Sequence, residues 1–155
     1  MGSLKSSSAD ETFALGQALG ASLEVSDFVG LTGQLGAGKT LFSRGVADGA
    51  GVPLDDVSSP TYSIVQSYRG RVPLHHADLY RLTSEDDLYA TGYFELEDAA
   101  FLVEWVEHIP TAAPDDALRL TLEVTTPETR TIHFTTSGPK SEALLERWLT
   151  RAEKK

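Results

Sequence analysis

The chain contains no cysteine, no asparagine and one methionine, and its 13 lysines and arginines are outnumbered by 23 aspartates and glutamates. Each shortage excludes something. Without cysteine there is no disulfide scaffold, no thiolate metal site and no cysteine nucleophile. A formal net charge of −10 opposes any whole-surface attraction to phosphate polymers or anionic lipid. If nucleic acid is involved, partner proteins are expected to do most of the holding. No apolar run approaches the roughly 18 residues of a membrane span. The first ten residues are small and polar, with no hydrophobic stretch of a secretion signal, and read as a disordered lead or cloning remnant. What remains, residues 11–155, is expected to be a single acidic domain, cytoplasmic and without membrane contact.

The pattern along the chain alternates between helical and extended segments. Phe13, Leu15, Ala18 and Leu19 recur at helical spacing, with Gly20 as a candidate end and Gly16 as a weak point. Residues 27–32 read as a short buried strand, followed by a glycine-rich turn and a helix over residues 39–50. Two extended runs around Arg69-Gly70-Arg71 suggest a hairpin, whose second arm Pro73 places at an edge or gives an irregular start. Ser84 is a candidate N-cap for an acidic helical turn carrying Glu85, Asp86 and Asp87. Ala100-Phe101-Leu102-Val103 reads as a central strand that ends on Glu104. Two alternating strands, residues 118–124 and 132–134, precede a last helix with Leu144, Leu145, Trp148 and Leu149 on one face. The expected architecture is α/β: a mixed, mostly parallel sheet with antiparallel hairpin strands, flanked by helices.

One motif is complete. Gly33-Gln34-Leu35-Gly36-Ala37-Gly38-Lys39-Thr40 satisfies G-x-x-x-x-G-K-[ST] between a strand and a helix, as the P-loop NTPase fold requires. Phosphates need many donors at close range. Glycines clear the space for backbone amides, and the following helix adds its N-terminal amides and dipole. Lys39 can reach the outer phosphates and the Thr40 hydroxyl can ligate Mg²⁺. The absence of asparagine and of any K-x-D argues against a guanine-reading [NT]-K-x-D element, leaving ATP as the default nucleotide.

Two acids sit where strands should end, Asp78 and Glu104, and Glu104 has the more buried approach. Either can serve Mg²⁺ or the attacking water. Ser59-Pro60-Thr61 lies between the phosphate loop and these acids, where a γ-phosphate-sensing loop is often placed; an ordinary turn is the alternative. His75 and His76 have no third ligand at a fitting spacing, which favours a structural or solvated role. A small-molecule kinase and a nucleotide-sensing binding module stay open beside an ATPase, because Arg44, Arg69, Arg71 and Arg81 are scattered along the chain.

Together, Leu35 to Thr40, Ser58-Ser59-Pro60-Thr61-Tyr62, His76-Ala77-Asp78-Leu79-Tyr80-Arg81-Leu82 and Val103-Glu104-Trp105 resemble the bacterial tRNA threonylcarbamoyladenosine biosynthesis ATPases of the TsaE (YjeE) family. The resemblance covers residues 11–110 in order and spacing. It implies a small P-loop ATPase, using ATP and Mg²⁺, that binds two protein subunits of a threonylcarbamoyl-transferase assembly and allows its repeated turnover. It further implies that residues 33–40 hold the triphosphate and that Thr61 lies near the γ-phosphate and metal. Asp78 would be the catalytic or water-positioning acid, Glu104 would hold Mg²⁺ with Thr40, and Trp105 would lie beside the nucleotide. Many members carry an acid where this chain has Gln34. An acidic chain serving a tRNA enzyme is expected to dock on protein and to show no tight direct tRNA binding.

Overall fold

In the computed structural model, which describes residues 1–34, 36–53 and 64–153, the elements follow in chain order. They are strand Gly2–Ser6 (β1), helix Ala9–Ser22 (α1), strand Phe28–Gly33 (β2), helix Lys39–Gly49 (α2), and strands Val65–Tyr68 (β3) and Leu74–Asp78 (β4). A short helix Glu85–Tyr89 (α3), strands Ala100–Glu104 (β5), Leu118–Val124 (β6) and Arg130–Thr135 (β7), and helix Pro139–Glu153 (α4) complete them. The strands form one sheet in the order β1-β7-β6-β2-β5-β4-β3. Strand β2 runs parallel to β5 and β6, and β4 runs parallel to β5; β3, β7 and β1 are added by antiparallel pairing. The sheet is thus mixed and mostly parallel in strand direction, as expected.

Both faces of the central strands are covered, which is why residues 28–31 of β2 and 100–103 of β5 are apolar instead of alternating. One face packs against α1, α2 and α4 through Leu19, Leu31, Phe42, Leu102, Leu120 and Trp148. Trp148 meets Phe42 and Phe134 edge-on, and its indole N–H donates to the Leu15 carbonyl at 2.9 Å. That single donor is how so large an aromatic is buried without leaving a polar atom unpaired. The other face is closed by α3 and short 3-10 turns, with Phe28, Leu79, Leu88, Val103 and Val106 between them.

Two expectations are corrected. Residues 2–6 are strand β1 rather than a disordered lead, paired from Gly2 opposite Phe134 to Ser6 opposite Arg130. Its Ser6 hydroxyl is buried against that of Thr12 at 2.7 Å, so the segment is tied to α1 as well as to β7. Gly20 does not end α1, which runs on to Ser22. The reason lies across the helix pair. A side-chain carbon on Gly16 or Gly20 would fall on the carbonyl oxygens of Phe42 and Val46. One on Gly45 or Gly49 would fall on those of Phe13 and Gln17. The glycines are spaced i, i+4 on both helices and let the backbones touch, so they serve packing rather than termination. Pro73 lies just ahead of β4, which is interior; β3 takes the edge. The Ser84 hydroxyl does accept from the Asp87 amide, capping α3 as expected.

Gly20→Ala should therefore destabilise the fold although alanine is the better helix former. We expect a loss of about 1–3 kcal/mol in chemical denaturation, from overpacking against backbone that cannot move aside. A stabilised Gly20→Ala variant would contradict the glycine contact.

Candidate functional site: a phosphate loop facing two strand-end carboxylates

From β2 the chain turns through Gly36 (φ 83°) and Gly38 (φ 97°) into α2. These left-handed dihedrals cost a residue with a side chain and cost glycine little. Gly38 is the N-cap of α2 and offers no side-chain acceptor. The other helices are treated differently. Ser8 caps α1 and Ser84 caps α3, each with acids in the first turn. The Asp116 carboxylate accepts from the Lys140 and Ser141 amides at the start of α4. Only α2, among the described α-helices, has neither a capping side chain nor an acid in its first turn. Its leading amides are left for an anion from outside.

Lys39, the first residue of α2, is buried. Its Nζ donates to the Gly33 carbonyl and, at 2.9 Å, to that of Gln34, and sits 4.2 Å from the centre of the Trp105 ring. Burial pushes the ammonium pKa below its ordinary value, against the opposing pull of Glu104, Glu107 and Asp78. Lys39 is thus a desolvated cation held by dipoles and a π face.

The acids come from the sheet. In parallel register Asp78 at the end of β4 stands beside Glu104 at the end of β5. Glu104 is buried, and its Oε2 takes both a His76 Nε2 contact at 2.5 Å and a Ser43 hydroxyl at 3.3 Å. The Asp78 Oδ1 accepts from the Tyr80 amide at 2.9 Å. Burial raises the Asp78 pKa, with the neighbouring Glu104 charge adding to the rise; the Tyr80 amide, His76 and Arg81 oppose it.

These groups share a cavity of about 450 Å³ lined by Gly36, Gly38, Lys39, Thr40, Leu41, Arg44, Asp78, Glu104 and Trp105. Trp105 holds a left-handed backbone (φ 58°, ψ 36°) directly after β5, which swings its ring over Lys39 and against Tyr80, 4.9 Å between centroids. The remaining loop residues Gly33, Gln34 and Ala37 face a separate cavity toward β6 and β7. Leu35 and Thr61, with the rest of the Ser58-to-Tyr62 motif, lie outside the described residues. Sequence reading did not anticipate that Arg130 Nε donates to the Ala37 carbonyl at 3.0 Å, a link that braces the phosphate loop from β7. Nor did it anticipate His76 as a partner of Glu104. The one available signal was period two along β4, which puts His76 on the face of Asp78.

The family described as threonylcarbamoyl adenosine biosynthesis protein TsaE matches residues 6–132. The chain belongs to the TsaE family. Among curated members, the Bacillus subtilis tRNA threonylcarbamoyladenosine biosynthesis protein TsaE is 37% identical over 139 residues, spanning 88% of this chain and 87% of that one. The Streptomyces coelicolor protein of the same name is 37% identical over 143 residues, with 88% and 93% covered. The crystal structure of Bacillus subtilis YdiB superposes with a TM-score of 0.76 at 30% identity, covering 96% of this chain and 93% of that one. The fold is that of the P-loop NTPases, with Gly33, Gln34 and residues 36–38 at the turn from β2 into α2.

Asp78 generates a stability test with a defined sign. Its folded pKa lies above the ordinary 3.8, so the native state holds the proton longer than the unfolded chain does. Well below pH 3.8 both states are protonated and the charge costs nothing. As pH rises through the folded pKa, the half-buried carboxylate becomes a full penalty. Asp78→Asn, which keeps the acceptor for the Tyr80 amide, should be more stable than the parent at pH 7. The gain should shrink toward zero by about pH 3. A gain independent of pH, measured by urea unfolding, would remove Asp78 from the list of desolvated charges.

Proposed function

We propose that the chain is a Mg²⁺-dependent ATPase acting in the cytoplasm in tRNA threonylcarbamoyladenosine biosynthesis, where it binds two protein subunits of a threonylcarbamoyl-transferase assembly and allows repeated turnover. The observation that carries this reading is the free N-terminus of α2 with Lys39 behind it and two carboxylates in front. A triphosphate would lie along the amides of residues 33–40, with Lys39 exchanging carbonyl dipoles for phosphate oxygens. A neighbouring cavity of about 460 Å³, which shares Gly38 and Leu41 with the first and is lined also by Ser8, Ala9, Thr12 and Arg130, would take the nucleoside.

The donor set suits Mg²⁺. Thr40 offers a hydroxyl at the first turn of α2 and Glu104 a carboxylate, both hard oxygen donors. No group of three His, Cys, Asp or Glu among the described residues makes an all-protein cage, consistent with a metal completed by phosphate oxygens and water. When bound, the ion would neutralise charge on the outer phosphates. Asp78 would orient the attacking water, Thr61 would stand near the γ-phosphate, and Trp105 would close the site over Lys39. The names of the relatives supply the pathway, and the charge of −10 favours docking on protein over docking on tRNA.

Lys39→Ala should weaken ATP binding by about 10- to 100-fold, the worth of a lost charge-assisted contact. Asp78→Asn should leave ATP affinity within about threefold while abolishing hydrolysis, because it serves the chemical step. Equal losses of affinity in titration calorimetry would refute that division of labour. In a reconstituted system, Lys39→Ala and Glu104→Ala should each stop modification after few turnovers, and the isolated chain should give no tight tRNA complex in a gel shift. A submicromolar, salt-sensitive tRNA complex would overturn docking through protein.

A further inference from the structure

Glu104 is held unevenly. Both of its described partners, His76 Nε2 and Ser43 Oγ, bind the same oxygen, Oε2. Oε1 takes no hydrogen bond from any described residue. Glu104 lines a cavity with Thr40 and Asp78, and Oε1 is its oxygen not engaged by His76 or Ser43. His76 itself is buried on β4, two residues before Asp78 and on the same face of the strand. A buried imidazole is costly unless its N–H is used, and a carboxylate can only accept.

From this geometry we infer that His76 is a positioning residue. Its Nε2–H, with the Ser43 hydroxyl, pins one Glu104 oxygen to the sheet so that the other alone is presented to a metal beside Thr40. The inference rests on the proposed Mg²⁺–nucleotide reading and deepens it. It supplies an outer-shell donor, which fixes both the rotamer and the denticity of the ligand. Without the clamp, the carboxylate can rotate toward Lys39, whose field already reaches it. Ser43 alone cannot replace the clamp, because its hydrogen bond is the longer of the two.

The test separates metal from nucleotide. Mn²⁺ would be titrated by electron paramagnetic resonance into the full chain saturated with ADP, and ADP binding would be measured apart in the presence of chelator. His76→Leu should lose about 10- to 100-fold in Mn²⁺ affinity. Metal-free ADP binding should stay within about threefold of the parent. His76→Gln, whose side-chain amide N–H can occupy the Nε2 position, should recover most of the metal affinity. Nitrogen-15 spectra of the unmodified chain should show His76 with its proton on Nε2, with and without Mg²⁺·ADP. Unchanged Mn²⁺ affinity in His76→Leu would overturn the inference, and so would a proton resident on Nδ1. Should His76→Leu fail to fold, the tautomer of the parent and the Gln variant still decide. A parent chain that binds ADP no better with Mn²⁺ than without it would instead refute the metal–nucleotide reading beneath.

Discussion

A helix that begins with free amides gives up the cap that normally holds its first turn, and something else must fix it in place. Here that constraint falls on the contact between α1 and α2. Four glycines bring the two backbones together, Gln17 reaches the Asp48 carboxylate at 2.6 Å, and Arg130 grips the carbonyl of Ala37. The helix is therefore located by its flank and its loop, not by its own N-cap. That arrangement lets the first turn stay electrostatically unsatisfied, which is the property a phosphate exploits.

The sheet performs the corresponding service for the acids. Parallel pairing of β4 with β5 fixes Asp78 and Glu104 as neighbours, and both emerge at the end of the sheet where α2 begins. Two carboxylates so close repel, and the structure treats them unequally. Glu104 receives a histidine and a serine, whereas Asp78 has one backbone amide and a raised pKa. The better-satisfied acid suits a static ligand. The less-satisfied one suits a group that must exchange a proton or orient a water.

Much of this was legible in the residues. The phosphate loop, the central strands and the Ser84 cap follow from local rules that need no partner: glycine spacing, apolar runs and a hydroxyl ahead of acids. The misses share a physical character, since each depends on a neighbour distant in sequence. Gly2–Ser6 is polar and short, and only its pairing with β7 and the buried Ser6–Thr12 contact make it a strand. Gly20 looks like a stop until α2 is laid beside it. His76 is 28 residues from Glu104, a separation on which no spacing rule operates. Thr61 and its loop fall outside the described residues, so the site is seen from three sides: loop, strand ends and Trp105.

On the proposed function, the charges around the cavity would favour joint arrival of metal and nucleotide. Lys39 and Arg44 face Asp78 and Glu104 across the same space, so the cavity is close to neutral when the acids are ionised. A triphosphate entering alone would satisfy the α2 amides and Lys39 but set its outermost oxygens against two carboxylates in a partly desolvated site. A divalent cation entering alone would find the Asp78 and Glu104 carboxylates and the Thr40 hydroxyl, but no phosphate oxygens to complete its shell. Each guest removes the other's penalty. On the proposed function, positive coupling between them would follow from charge balance.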